Sequence, residues 1–467
     1  MGGKVALCSS ACCFHSISRK ASNLHLLLCM KMVQCSVNVV NLRIYIKIKL
    51  EKYKKTLDNI EKFFEPPSKY YIYWEEFLMN NIKLLSSILK RTNTLIKSEE
   101  YKEAYRMDNS FSRKRKLSFS NAVYFICSAL RKSLSTEINN FIEEHFYLEF
   151  PNLLKQAFSK ARQNISPEAF KELCRVFTDS FYNSNVNLKK WNGFNVFAVD
   201  GTTLQVPDTS ENIEYFGTST NQSTTKTALA SASALYDVLN DIVIDATISR
   251  YRTSERKMAR QHINSINNIK LLSNSIVIFD RGYPSYDMFN FLEENGLFFL
   301  MRVSSSYKVA ESIDSKDSIL NYKFGVYSKE VRVIKVELPD GTIEVLLTNI
   351  FDKSITTTLF KELYFLRWGV ECKYKELKSS IEIEEFSGTK PIAIEQDFYA
   401  SIYLSMVASL IKKDADAAIA NDNRDKGLKS EYQANRNFIL SEVLKNNNYD
   451  SKAYFGEENI RKFIRKG

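Results

Sequence analysis

The 467-residue chain is poor in the residues that interrupt regular structure, with 14 glycines and 8 prolines. That scarcity, beside 44% apolar and 25% charged residues, excludes collagen-like, low-complexity and largely disordered classes. No apolar run reaches the roughly 18–20 residues needed to cross a bilayer. The longest, near 24–30 and 400–411, are too short, so no membrane partner is expected. Acidic residues are missing altogether from 1–40. Five of the 8 cysteines (Cys8, Cys12, Cys13, Cys29, Cys35) also fall there, whereas Cys127, Cys174 and Cys372 stand singly. Neither set has the spread of a disulfide framework in a secreted domain. A metal site on Cys12, Cys13 and His15 lacks a second ligand pair at zinc spacing. Residues 1–40 are expected to be an unstructured leader or the product of a mis-called start, with Met30 and Met32 as alternative starts. A reduced, cytoplasmic compartment fits the remainder.

What the chain does have is positive charge, a net +11. It gathers in 41–62, 101–132, 246–260 and 459–467 rather than spreading evenly. On a chain without a membrane segment, such patches point to nucleic acid as partner. At about 100–200 residues per domain, the length predicts two to four units.

Residues 41–185 show helical periodicity. Tyr73–Ile96 reads as one helix with Leu78, Ile82, Leu85 and Leu89 on one side. A basic run, Arg113, Lys114, Arg115 and Lys116, introduces helical patterns over 120–133, 136–144 and 153–162. Ser166-Pro167-Glu168 opens another, with serine as cap and proline in the first turn. This region is expected to bind DNA, through the basic run and through a helix-turn-helix-like element carrying Gln156, Ser159, Lys160 and Arg162. The alternative is a plain bundle with solvated basic faces.

From residue 190 the period changes. Strand patterns at 194–199, 227–236 and 241–249 are followed by a helix (254–266), a strand (275–279), a helix (286–295) and a strand (297–303). That order predicts an α/β, ribonuclease H-like catalytic core over 190–303 and 356–412. A β-rich insertion at 304–355 interrupts it, and a C-terminal helical tail fills 413–467.

Two carboxylates, Asp200 and Asp280, each follow an apolar strand pattern, where catalytic groups converge in open α/β sheets. A third feature is the expected helix 361–381. At 100° per residue, Tyr364, Arg367, Glu371 and Lys378 share an arc of about 60°, beside an apolar stripe of Leu363, Leu366, Val370, Tyr374 and Leu377. Lys361, Glu362, Lys373 and Glu376 fall on faces open to solvation. Taken alone, the strip also fits a half-exposed helix edge. Asp208, Asp237, Asp241, Asp245 and Asp287 read as turn, cap or surface residues, and His262 as structural. Arg250, Arg252, Arg256, Lys257 and Arg260 form a basic cluster that is either a solvated face or a DNA contact.

Three passages, Ala198-Val-Asp-Gly-Thr-Thr203, Ile278-Phe-Asp-Arg-Gly-Tyr283 and Tyr364-x2-Arg367-x3-Glu371-x6-Lys378, in this order resemble the DDE transposases of the insertion-sequence-four group. Glu214-Tyr-Phe-Gly217, Leu235-Tyr-Asp-Val-Leu-Asn240 and Ser254-Glu255 add to the likeness, which runs from about 105 to 445. The resemblance implies that Asp200, Asp280 and Glu371 hold two Mg²⁺ ions, with Mn²⁺ able to substitute. It also implies that Arg367 and Lys378 grip phosphates, while Tyr364 stacks on a displaced base. Trp368 is either a stacking or a packing residue. The expected partners are terminal inverted repeats and target DNA, with a homodimer in the synaptic complex and a cytoplasmic, nucleoid-associated location. Two other functions compete: a DNA-binding descendant that no longer cuts, disfavoured because all three acids are present, and a structure-specific nuclease on the same sheet.

Overall fold

The structure, a computed structural model, describes residues 68–422 apart from short internal stretches, together with 432–437 and 439. The leader 1–40, Lys114, Arg115, Lys116 and most of the tail beyond 422 lie outside the described residues. The chain divides into two units, Met1–Glu75 and Glu76–Gly467, and the sheet lies in the second.

Among the described residues, six helices precede the first strand: α1 (Ser68–Lys97), α2 (Glu99–Tyr105), α3 (Phe119–Cys127), α4 (Leu134–Glu144), α5 (Lys155–Arg162) and α6 (Glu168–Tyr182). Local chemistry starts several of them. Ser98 Oγ accepts from the Tyr101 amide and Ser118 Oγ from the Asn121 amide, both at 3.1 Å, which satisfies donors the helix itself leaves open. α3 is apolar nearly all round, from Phe119 to Cys127, and is buried accordingly.

The strands are β1 (Asn195–Gln205), β2 (Leu229–Asp237), β3 (Ile242–Arg250), β4 (Ser275–Phe279), β5 (Phe298–Val303), β6 (Asp317–Phe324), β7 (Tyr327–Glu337) and β8 (Ile343–Thr348). They form one sheet in the order β3-β2-β1-β4-β5-β8-β7-β6. β1, β2 and β3 make an antiparallel meander, and β4 and β5 run parallel to β1. That is the ribonuclease H-like arrangement expected from the element order. The β-rich stretch 304–355 supplies β6–β8, which continue the same sheet because β8 pairs antiparallel with β5.

Further helices are α7 (Ser210–Tyr215), α8 (Glu255–Ser265), α9 (Ile269–Leu272), α10 (Tyr286–Glu294), α11 (Thr357–Phe365), α12 (Trp368–Ser379) and α13 (Pro391–Asp422). α8 and α10 contribute to one core, with Met288, Phe289 and Leu292 against Phe299 and Met301 of β5. On another side, α13 joins α3, α6 and the meander in a common core. The apolar run 400–411 is the middle of α13, where Tyr403, Met406, Val407 and Leu410 are all buried. None of the helices in the described residues is long and apolar enough to cross a membrane. α13 also runs through the boundary expected at 412.

Arg162, expected as a DNA contact, is instead only 2% exposed. Its guanidinium ties α5 to α13 through Asp397 (2.8 Å), Gln396 (2.9 Å), Ser387 (2.7 Å) and the Ala393 carbonyl (3.2 Å). Arg113 does lie exposed at the surface. Lys373, expected in solvent, is also buried, 2.9 Å from Asp241 and within hydrogen-bonding distance of Ser405 and Ser409. Arg436 completes that cluster with Asp241 and with Glu376 at 2.8 Å, so a charged group from the tail docks beside α12.

Candidate active site

Strand register brings the first two acids together. The parallel pairing of β1 with β4 ends at Ala198 opposite Ile278. Asp200 and Asp280 therefore lie level, each two residues past that pair. Asp200 does not end its strand as expected. β1 continues to Gln205 because β2 goes on pairing with it as far as Leu229, so Asp200 loses its neighbour on one side only. β4 stops at Phe279 and releases Asp280 into the following turn. The same register leads from Phe279 opposite Met301 to Asp280 beside Arg302. Arg302 Nε donates to Asp280 Oδ1 at 2.9 Å, and its other arm pairs with Glu344.

Glu371 arrives from α12. The single helix expected over 361–381 is interrupted between Phe365 and Trp368. There the amides of Leu366, Arg367, Gly369 and Val370 bond three residues back, at 2.9–3.2 Å, tightening one turn. Arg367 sits at this junction, nearly buried. Its Nη2 is 2.6 Å from Glu371 Oε1, and its Nη1 is 3.9 Å from Asp200 Oδ2. All three acids stay partly open to solvent, with side chains 23% (Asp200), 34% (Asp280) and 29% (Glu371) exposed. Arg367 lies beneath them at 7%.

Electrostatics separate the two aspartates. Burial pushes the Asp200 carboxyl up to about 6, aided by the charges of Glu255 and Glu371; the Gly201 amide and Arg367 oppose it without prevailing. Burial also acts on Asp280, but there the Arg281 amide, Arg302, Arg367 and the Tyr364 hydroxyl outweigh it and hold the group below its ordinary value.

The backbone of Asp200 is itself anchored, since its carbonyl accepts from Tyr374 Oη (2.9 Å) and Ser233 Oγ (3.0 Å). Ser233 meets His262 Nε2 at 3.0 Å, and His262 Nδ1 lies 2.7 Å from Asp245. His262 and Ser233 are fully buried. This Ser–His–Asp chain thus holds the strand and cannot present a nucleophile.

Tyr364 requires a correction. Its ring is 8% exposed and packs in the core below β8, leaving no face for a base. Its hydroxyl instead donates to Asp280 Oδ1 at 3.2 Å. The open rings beside Arg367 are Trp368 and Phe365, 48% and 70% exposed. Arg367 and Lys375 each lie 5.9 Å from the Trp368 ring centre. Lys378 reaches β1, donating to the Thr203 carbonyl at 2.7 Å. Of the basic cluster after β3, Arg256 bonds the Gly282 and Pro284 carbonyls, and Arg260 lies over Phe291. Arg302 and Tyr374 were not legible as site residues, although counting strand register onward from a known β4–β5 pairing does locate Arg302.

Residues 191–406 match the family model described as the transposase DDE domain, a span that includes all three acids. The transposase InsG for insertion sequence element IS4 of Escherichia coli (strain K12) is 23% identical over 317 residues, covering 62% of this chain and 68% of its own. The chain carries, over residues 191–406, a transposase DDE domain similar to that of the insertion-sequence-four transposases. It is therefore a DNA-cleaving and strand-transferring enzyme. A solved piggyBac transposase synaptic complex with hairpin DNA overlays 85% of this transposase and 84% of its own chain, at 13% identity and a TM-score of 0.41.

Among the described residues of the transposase, no three carboxylate, histidine or cysteine side chains are close enough to hold one ion as they stand. The donor chemistry nevertheless suits a hard divalent cation: oxygen ligands only, partly open, with one carboxyl pushed up to about 6 by burial.

Proposed function

We propose that Asp200, Asp280 and Glu371 are the catalytic acids, and that they hold two divalent cations, Mg²⁺ by preference. The observation that carries this reading is the level placement of Asp200 on β1 and of Asp280 just past the end of the parallel strand β4, with Glu371 joined to Asp200 through Arg367. Bound at these acids, two cations supply charge stabilisation for the attacking and leaving oxygens of an in-line phosphodiester displacement. The chain's own groups orient the rest. Arg302 and Tyr364 fix Asp280, while Tyr374 and Ser233 fix the strand at Asp200. Lys378 binds a backbone phosphate of the DNA end, and Arg367, beneath the acids, offsets charge crowding among them. Trp368, with Phe365, offers an exposed stacking surface for an unpaired base. Arg113, with Lys114, Arg115 and Lys116, adds sequence-independent phosphate contacts. The transposase acts on the terminal inverted repeats of a mobile element and on target DNA, as a homodimer that brings two ends together, in the cytoplasm at the nucleoid.

Incubating the protein with Mg²⁺ and DNA bearing the element's ends, then sequencing the products, tests this reading. Breaks at the element boundary and ends joined to target DNA support it. Scattered cleavage without joining indicates a nuclease instead, and binding without any break indicates an inactive descendant. Lys378→Ala is expected to weaken end complexes at every sequence and to lower the salt slope of binding by about 1. A titration of binding against salt checks this.

A further inference from the structure

Glu255 is the first residue of α8, away from the three acids in sequence, yet its carboxylate lies against the backbone just after each aspartate. A Cβ added at Gly201 would stand 3.1 Å from Glu255 Oε1, and one at Gly282 would stand 3.2 Å from Oε2. Gly201 follows Asp200, and Gly282 is two residues past Asp280. A side chain at either glycine would therefore press on the carboxylate and make it give by a few tenths of an ångström.

The position is fixed from both ends of α8. Arg256, next in sequence, donates from Nε to the Gly282 carbonyl at 2.8 Å and from Nη2 to the Pro284 carbonyl at 3.2 Å. Further along, His262 bonds Asp245 of β3 and Ser233 of β2. The basic neighbour is thus engaged with backbone, and Glu255 makes no hydrogen bond or ion pair among the described residues. Glu255 is an exposed residue, so its carboxylate is open to a cation that would join it to the neighbouring acids.

A second observation points to the same place. Tyr283 is 1% exposed, and its hydroxyl is buried without a hydrogen-bond partner. The charges acting on that hydroxyl are, in order of strength, those of Glu255, Asp200, Tyr374 and Asp280. A buried donor with nothing to bond, in the field of these carboxylates, calls for an oxygen that the protein itself does not provide, such as a cation's water.

We propose that Glu255 is a fourth acidic residue of the divalent-cation site, acting with the Tyr283 hydroxyl to hold the hydration shell of a cation bound by Asp200 and Asp280. This rests on reading Asp200, Asp280 and Glu371 as the cation-binding acids. Outer partners of this kind typically change metal affinity by about 10–100-fold.

The test is Mn²⁺ binding to the full chain without DNA, followed by the loss of the free-ion signal in electron paramagnetic resonance. Glu255→Gln should weaken binding at least about tenfold, with unchanged thermal unfolding of the metal-free protein. Gly282→Ala, which keeps the carboxylate but crowds it, should weaken binding in the same direction. Tyr283→Phe should do so more mildly. Asp200→Asn serves as the control for the underlying reading. If wild type binds no Mn²⁺, or Asp200→Asn binds as wild type does, the cation site itself is wrong. If Asp200→Asn loses binding while Glu255→Gln and Gly282→Ala keep wild-type affinity, the role given to Glu255 is overturned.

Discussion

Asp200→Asn is expected to make the metal-free transposase more stable at neutral pH while removing strand cleavage. Folding carries the Asp200 carboxyl from its ordinary 3.8 to about 6, chiefly by burial. The folded protein therefore holds that proton more tightly than the unfolded chain. The contribution to stability is fully present below about 4 and is lost as pH rises through about 6. At pH 7.5 the ionised group thus costs up to about 3 kcal/mol, at 1.36 kcal/mol for each unit of pKa. Asparagine removes that cost but cannot ionise to meet a cation. Chemical denaturation at pH 7.5 and pH 5 checks the sign: the variant should exceed wild type at pH 7.5, and the difference should shrink at pH 5. In wild type, Mn²⁺ affinity should fall as pH drops through about 6, because the proton then competes for the same carboxylate. Equal stability of variant and wild type at both pH values would remove the electrostatic account of this site.

The second large effect lies away from the chemistry. Arg162→Met should destabilise the fold by about 3–5 kcal/mol, because it leaves Asp397 buried without its cation. Asp397 is 5% exposed, and its remaining donors are the Ser387 amide and hydroxyl, each at 2.8 Å. Urea unfolding measures the loss. The double variant Arg162→Met with Asp397→Leu should recover part of it, since removing both charges ends the desolvation problem. A single-variant change within about 0.5 kcal/mol of wild type, the range of an ordinary surface substitution, would show that the α5–α13 tie carries no weight.

Arg162 also shows where sequence reading stops. Helical period places a residue on a face but does not say what that face meets. A charged residue at the edge of an apolar stripe looks the same whether it ends in solvent or in a buried ion pair, as Arg162 and Lys373 do. Tyr364 misled for the same reason: the motif spacing aligned it with Arg367 and Glu371, and only packing under β8 shows that its ring is covered. The acids were legible because each carries a local mark, an apolar strand leading into Asp-Gly or Asp-Arg-Gly and a Glu in register with Arg on one helix edge. Their convergence needed the sheet. Nothing local in Val199 or Phe279 tells that β1 and β4 are neighbours in parallel, and nothing in Arg302 tells that β5 lies on the far side of β4. The tightened turn at Leu366–Arg367 was equally hidden, since no proline or glycine marks it before Gly369. The class of fold followed from the order of strand and helix patterns: those at 194–199, 227–236, 241–249, 275–279 and 297–303 correspond to β1–β5, with β1 running on to Gln205.

The central claim is that three acids, 171 positions apart from first to last in sequence, act as one site. The most direct measurement compares wild type with Asp200→Ala, Asp280→Ala and Glu371→Ala in Mg²⁺-dependent cleavage of DNA carrying the element's ends, at concentrations where end binding is matched. Each variant should bind the ends yet fail to cut, with a loss well beyond the roughly 10–100-fold of an outer partner. Full cleavage by any one of the three would contradict the assignment.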